Sequence, residues 1–315
     1  MKMQNSPHSS VLLNESINAL GIKEHGIYLD GTFGRGGHSQ EILSRLSNQG
    51  MLIATDRDPA AIEFGKTTFP NEARLKLLHT DFASISSELS EQGLPVQFDG
   101  ILLDLGVSSP QLDEAHRGFS FTNDGPLDMR MDSSQGETVA DFLSSADESE
   151  IANVIFQLGD EKHSRRIAKA IVEMRKEQPL QTTQQLVALI EDVVTRPERH
   201  KHPATRTFLA LRMHINDELG QIEKMLPLAV KMLKTSGRLV VISFHSREDR
   251  IVKRFFKDLT LGPKLPKRMP VQHVYAAPIK MIGKAIKPNA EEINNNPRSR
   301  SAILRVVERT EVVYA

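Results

Sequence analysis

The run Tyr28-Leu29-Asp30-Gly31-Thr32-Phe33-Gly34-Arg35-Gly36-Gly37-His38-Ser39 constrains this chain more than any other stretch. An apolar segment stops at an acid, four glycines fall within seven positions, and a helical pattern follows from Ser39 to Leu46. Strand, glycine loop and helix in that order bring backbone close to a nucleotide-like ligand at the carboxyl end of the strand. Glycine serves there because a Cβ would collide with the ligand or because φ must be positive. The spacing is not G-x-G-x-x-G, so the loop by itself marks a place and not a ligand.

The pattern around the loop predicts the architecture. Strands are expected at Ile27–Asp30, Met51–Asp56, Leu75–His79 and Phe98–Asp104, with a helix at Val11–Leu20 before the first and helices at Ser39–Leu46 and Pro59–Phe64 between strands. Such alternation implies right-handed crossovers and a parallel sheet. Phe98–Asp104 is an almost unbroken apolar run, as suits a strand buried on both faces. After Gln111 the periodicity changes. Helical signals dominate at Val139–Leu143, Glu150–Leu158, Ser164–Arg175, Gln184–Val194 and Thr205–Leu219, with capping boxes at Asp147-x-x-Glu150 and Thr182-x-x-Gln185. The sheet resumes at Gly237–Ser243, a helix follows at Glu248–Phe256, and Ala302–Glu308 is the last strand. The domains expected are a first sheet part over 1–113, a helical insertion over 114–213 that recognises substrate, and a second sheet part over 214–315.

Composition removes several chemistries. With no cysteine there is no disulfide framework, thiolate zinc site, cysteine-held iron–sulfur cluster or cysteine nucleophile. Methylation at cytosine C5, which normally uses a cysteine attacking C6, is excluded with them. No run approaches the ~18 apolar residues of a membrane span, and the opening MKMQNSPHSS lacks a signal-peptide core. A cytoplasmic protein without a membrane partner is expected. The zero net charge conceals a division. Residues 1–160 hold 10 Lys+Arg and 24 Asp+Glu (−14), and residues 161–315 hold 30 and 16 (+14). That asymmetry suggests a polyanion for the basic half.

Two ligand classes fit the strand ends. Asp56, closing Met51–Asp56, would accept hydrogen bonds from ribose hydroxyls in a dinucleotide or in S-adenosylmethionine. Phe82, after the third strand, would pack on adenine or serve as ordinary core. Asp30 suits a cationic, amino-acid-bearing ligand better than a pyrophosphate. The fourth strand ends in Asp104-Leu105-Gly106-Val107-Ser108-Ser109-Pro110-Gln111, a polar loop placed where amino-methyltransferases hold their acceptor. A nicotinamide dehydrogenase on a similar sheet is the rival enzyme reading, and an RNA-binding assembly factor without turnover is the non-enzymatic one.

The segments Tyr28–His38, Asp56–Pro59, Asp104–Leu112, Arg117–Asp132 (RGFSFTNDGPLDMRMD), His202–Leu211 (HPATRTFLAL) and Ser243–Lys253 (SFHSREDRIVK) together resemble the bacterial 16S rRNA (cytosine-N4) methyltransferase family (RsmH, formerly MraW), nearly end to end. The resemblance implies an α/β fold, a class I (Rossmann-like) S-adenosylmethionine methyltransferase sheet with a helical insertion. It also implies N4-methylation of a cytidine in the decoding centre of 16S rRNA. By position, Gly36, Gly37, His38, Asp56, Phe82, Asp104 and Gln111 resemble the family's contacts to S-adenosyl-L-methionine. Leu209 stands where the family commonly has glutamine, and Arg247 where leucine is usual. The partner expected is 16S rRNA within the small ribosomal subunit, and a homodimer is compatible with the sequence.

For catalysis, the loop residues Asp104, Ser108, Ser109 and Pro110 are the candidates, as acceptors for the target amine. His245, after the fifth strand, would orient the base, accept a proton or simply bond within its loop. His200 and His202 flank Lys201 with no acid at ligand spacing, so no metal site is expected. Basic sets at 162–176, 196–206 and 247–268 would track phosphates. The segment 117–132 would serve as a lid, with Asp124, Asp128 and Asp132 repelling phosphate.

Overall fold

The computed structural model describes residues 10–195, 202–262 and 275–314. Two compact units form, a sheet unit of residues 1–106 with 219–315 and a helical unit of Val107–Glu218. The helical unit is thus somewhat wider at both ends than the 114–213 expected from the pattern.

The sheet unit opens with α1 (Leu13–Leu20), β1 (Ile27–Asp30), α2 (Gly37–Arg45), β2 (Met51–Asp56), α3 (Pro59–Thr68), β3 (Leu75–His79), α4 (Ile85–Glu91) and β4 (Phe98–Asp104). The four strands fall where the apolar runs place them. The helical unit then contributes α5 (Ser109–Asp113), α6 (Val139–Ser145), α7 (Glu148–Gly159), α8 (Ser164–Glu177), α9 (Thr183–Val193) and α10 (Thr205–Ile215). The chain returns through α11 (Glu218–Met232) to β5 (Leu233–Ser243), α12 (Ser246–Leu261), β6 (Ile279–Met281), α13 (Ala290–Asn295) and β7 (Ile303–Arg309).

The sheet order is β3-β2-β1-β4-β5-β7-β6. Strands β1 to β5 pair in parallel, and β7 runs antiparallel between β5 and β6. This is the class I methyltransferase arrangement that the resemblance implies. Period-two alternation divides its side chains between two cores. Tyr28, Leu52, Leu102, Val240 and Leu304 join one cluster, and Leu29, Ile53, Leu103, Val241 and Val307 the other. From β1 the chain moves outward to β2 and β3, then returns to add β4 on the other side of β1. The β1/β4 boundary is therefore the topological switch point, where connections diverge and leave a crevice at the carboxyl ends.

Three local expectations need correction. The single helix expected over Thr205–Leu219 is broken at Asn216-Asp217. The Asn216 side chain donates to the carbonyls of Met129 (2.7 Å) and Arg212 (2.9 Å) and accepts from the Met131 amide (2.7 Å), and Asp217 turns at φ 45°. Asp147 does occupy the N-cap of α7, but its side chain makes no capping bond, whereas Thr182 and Gln185 form the full reciprocal box on α9. Strand β5 also starts earlier than Gly237, with a register shift opposite Phe98 and Gly100. Among the described residues, no helix is long and apolar enough to cross a membrane.

Candidate active site

Three carboxylates end adjacent elements of the sheet unit at or beside the switch point. Asp30, closing β1, is 1% exposed. Its Oδ1 accepts from the Thr32 amide (3.1 Å) and its Oδ2 from the Ser39 hydroxyl (2.6 Å), so it ties the strand end to the first turns of α2. Asp56, closing β2, accepts from the Gly34 amide (2.8 Å) and the Asp58 amide (2.9 Å). Burial pushes its pKa up to about 6, against these two bonds and with added repulsion from Asp58 and Asp30. Asp104, closing β4, is held through its amide on the Thr32 hydroxyl (2.7 Å). Its Oδ1 is buried without a hydrogen-bond partner among the described residues. Burial, then the charges of Asp30 and Glu248, raise its pKa well above the usual carboxylate range. Such a concentration of acids favours a cationic ligand and repels a pyrophosphate.

His38 sits under this group. It is 5% exposed, and its Nε2 lies 3.2 Å from the Val11 carbonyl. A carbonyl only accepts, so Nε2 carries the hydrogen and Nδ1 presents its lone pair. That Nδ1 is 3.7 Å from Asp104 Oδ2. Burial lowers the imidazole pKa to about 4, so the contact joins a neutral ring to a carboxyl group and is not an ion pair at neutral pH.

The glycines answer to the protein's own packing. Gly36 adopts φ +72°, and a Cβ there would come within 2.8 Å of the Phe33 ring and 3.0 Å of Phe69. A Cβ on Gly37 would overlap the Ser10 hydroxyl. At both positions the space a Cβ would fill is taken by side chains of this chain. Phe82 is half-buried with its ring edge beside Gly31, where a Cβ would meet it at 3.3 Å. Its loop is pinned from α11, since Gln221 accepts from the Ala83 amide (3.3 Å) and donates to Asp81 (3.4 Å). Thr32 and Ser39 lie inside the opening motif and are legible as polar residues at a strand end. Gln221, 140 positions from Asp81, gives no signal in the sequence.

The sheet unit therefore assembles Gly36, Gly37, His38, Asp56, Phe82 and Asp104. The other predicted residues belong to the helical unit. Ser108 precedes α5 in an extended conformation, Ser109 and Pro110 open that helix, and Gln111 is buried with its side-chain oxygen accepting from the Ser108 amide (2.9 Å).

His245 caps α12. Its Nδ1 accepts from the Glu248 amide (3.4 Å), and the fully buried Glu248 carboxylate in turn accepts from the Phe244 (2.8 Å) and His245 (3.1 Å) amides. That is the loop-bonding alternative for His245. His202 stacks on Phe121 at 4.7 Å and pairs with Glu191 at 3.2 Å, a partner its spacing does not reveal, while His200 lies outside the described residues. The 117–132 segment is packed into the helical core through Phe119, Leu127, Met129 and Met131. Its acids have local duties. Asp128 grips Arg130 through two bonds (2.7 and 2.8 Å), Asp124 accepts from the Gln184 amide (3.1 Å), and Asp132 accepts from the Ser134 amide (2.9 Å).

Comparison with known proteins agrees with this geometry. The model of the MraW methylase family matches residues 5–310. Ribosomal RNA small subunit methyltransferase H of Alteromonas mediterranea is 51% identical over 96% of this chain and 97% of its own length. The proteins of the same name from Shewanella woodyi and Shewanella amazonensis are 51% and 50% identical over 98% and 97% of this chain, and over 99% and 98% of theirs. A strand-end acid cluster on a class I sheet and near full-length identity of this degree point the same way: this chain belongs to the MraW methylase family.

Proposed function

We propose that this protein methylates the exocyclic N4 of a cytidine in the decoding centre of 16S rRNA, within the small ribosomal subunit, using S-adenosyl-L-methionine. The observation that carries the reading is the trio Asp30, Asp56 and Asp104 around the switch point. A sulfonium and an ammonium are attracted there, whereas the pyrophosphate of a nicotinamide cofactor is repelled. The relatives' shared name supports ribosomal RNA of the small subunit as substrate.

Asp56 would accept from the ribose hydroxyls, Phe82 would lie on the adenine side, and the backbone at Gly36 and Gly37 would line the donor together with His38, Asp104 and Gln111. When bound, the donor supplies an electrophilic methyl group. The protein's own task is to align N4 and to accept its hydrogens. The lone pair of a cytosine amine is delocalised into the ring, and a carboxylate accepting from that amine localises it as the nitrogen becomes tetrahedral. The buried Oδ1 of Asp104, which has no hydrogen-bond partner among the described residues, suits this role. Its raised proton affinity suits receipt of the proton that N4 releases. Ser108, Ser109 and Pro110 would shape the acceptor side. Positioning of this kind supplies ~7–11 kcal/mol of barrier reduction, and a chain without cysteine needs no covalent intermediate for transfer to an amine.

Mass spectrometry of 16S rRNA nucleosides from cells with and without the gene tests the reading, paired with transfer from labelled donor to isolated small subunits. N4-methylcytidine absent from one position on deletion is the expected result. An unchanged nucleoside profile, or donor binding without product, would overturn it in favour of a binding module.

A further inference from the structure

The basic charge of this chain is not where the helical insertion is. Residues 107–218 hold 13 Lys+Arg against 19 Asp+Glu, a net −6, whereas residues 219–315 of the sheet unit hold 19 against 8, a net +11. Within that stretch α12 concentrates the charge on one exposed row. Arg250, Lys253, Arg254 and Lys257 recur at three- and four-residue spacing and are all exposed, while Val252 and Phe256 on the opposite side are buried in the core. The acids of the helix do little to neutralise the row. Glu248 is buried at the N-terminal loop and Asp249 is held by Arg305 through bonds of 2.7 and 3.1 Å, which leaves Asp258 as the exposed carboxylate. No ion pair ties any of the four cations among the described residues.

The row is also anchored at the site. The loop that starts α12 follows β5 at the carboxyl edge of the sheet, and Glu248 in its first turn is close enough to raise the Asp104 pKa. At 1.5 Å per residue, Arg250 lies ~6 Å along the helix from its first residue and Lys257 ~16 Å. Four cations with no ion-pair partner among the described residues, on a rigid helix leading away from the reacting carboxylate, complement a polyanion that continues beyond the target nucleotide.

Resting on the reading of the site given above, we propose that the Arg250, Lys253, Arg254 and Lys257 row of α12 is the track for the phosphates of the substrate RNA strand flanking the target cytidine. Neutralising the row tests it. The variant Arg250→Gln/Lys253→Gln/Arg254→Gln/Lys257→Gln changes only exposed side chains, and its circular dichroism and donor affinity report whether the fold and donor pocket are intact. Labelled methyl transfer is then measured against substrate concentration at several salt concentrations, with both small subunits and protein-free 16S rRNA. Expected are an unchanged donor Kd, a KM for either RNA substrate raised on the order of tenfold or more, and a log–log salt dependence shallower by roughly 0.7 for each single-strand phosphate that the variant no longer neutralises. An unchanged KM and salt slope would overturn the proposal. So would a defect confined to assembled subunits, which would assign the row to a ribosomal protein. Should the unmodified enzyme transfer no methyl group at all, the proposed function fails first, and direct RNA binding by the two proteins then decides the track separately.

Discussion

Asp104 and His38 show how two side chains with ordinary sequence signatures acquire unusual protonation. Asp104 keeps a buried oxygen without a hydrogen-bond partner among the described residues and is crowded by Asp30 and Glu248. If that oxygen receives the amine hydrogen, Asp104→Asn lowers kcat at saturating donor by on the order of 10²-fold, read by single-turnover transfer of labelled methyl. Full turnover by that variant would reduce Asp104 to a donor contact. His38 makes a separate prediction for the ligand-free protein. Its unfolded-state pKa is near 6.5 and its folded value about 4, so between those values unfolding takes up a proton and acid favours the unfolded state. The stability advantage of wild type over His38→Gln should therefore grow as pH rises from 4 to 6.5, by up to about 1.4 kcal/mol per pH unit. Urea titrations across that window measure it, and a flat difference would show a charged imidazole. Asp56 works in the opposite sense. Its folded pKa of about 6 exceeds the usual 3.8, so its contribution is lost as pH rises between them, which is why the comparison with a His38 variant is needed.

At the scale of elements, strands are more legible than helices for a physical reason. A strand buried on both faces must be apolar nearly throughout, and such runs mark β1, β2 and β4 up to their observed ends, whereas the edge strand β3 keeps Lys76 and His79 exposed and is marked by its leucines alone. Helix boundaries depend on capping bonds that a motif permits without compelling. The Thr182 hydroxyl accepts from the Gln185 amide, and Thr182→Ala should cost ~1 kcal/mol. Asp147 occupies the same kind of position without that bond, and Asp147→Ala should change stability by less than ~0.5 kcal/mol. Equal losses in chemical denaturation would contradict the difference in capping. The break between α10 and α11 lies beyond sequence reasoning, since it arises where Asn216 meets Met129 and Met131 across more than eighty residues. Short α4 and α5 carry too little periodicity to register.

Across the whole molecule, the division of charge between chain halves is real but does not follow the structural units, because 107–218 takes residues from both halves and is net acidic. Basic character belongs instead to the later part of the sheet unit. The family resemblance implied the class of sheet, and by itself the sequence determined every described strand except β6, the Asp-terminated strand ends and, through the absence of cysteine, transfer without a thiol nucleophile. These follow from properties each segment carries alone: burial on two faces, an acid at a strand end, a residue type that is missing. Only the tertiary structure decided the rest. Among the described residues, Asp104 keeps an oxygen without a hydrogen-bond partner and the four cations of α12 have no acid paired with them. His38 is neutral, and Gly36 and Gly37 make room for Phe33, Phe69 and Ser10. Those properties depend on which distant groups share a low-dielectric volume, and proximity of that kind is created by the fold.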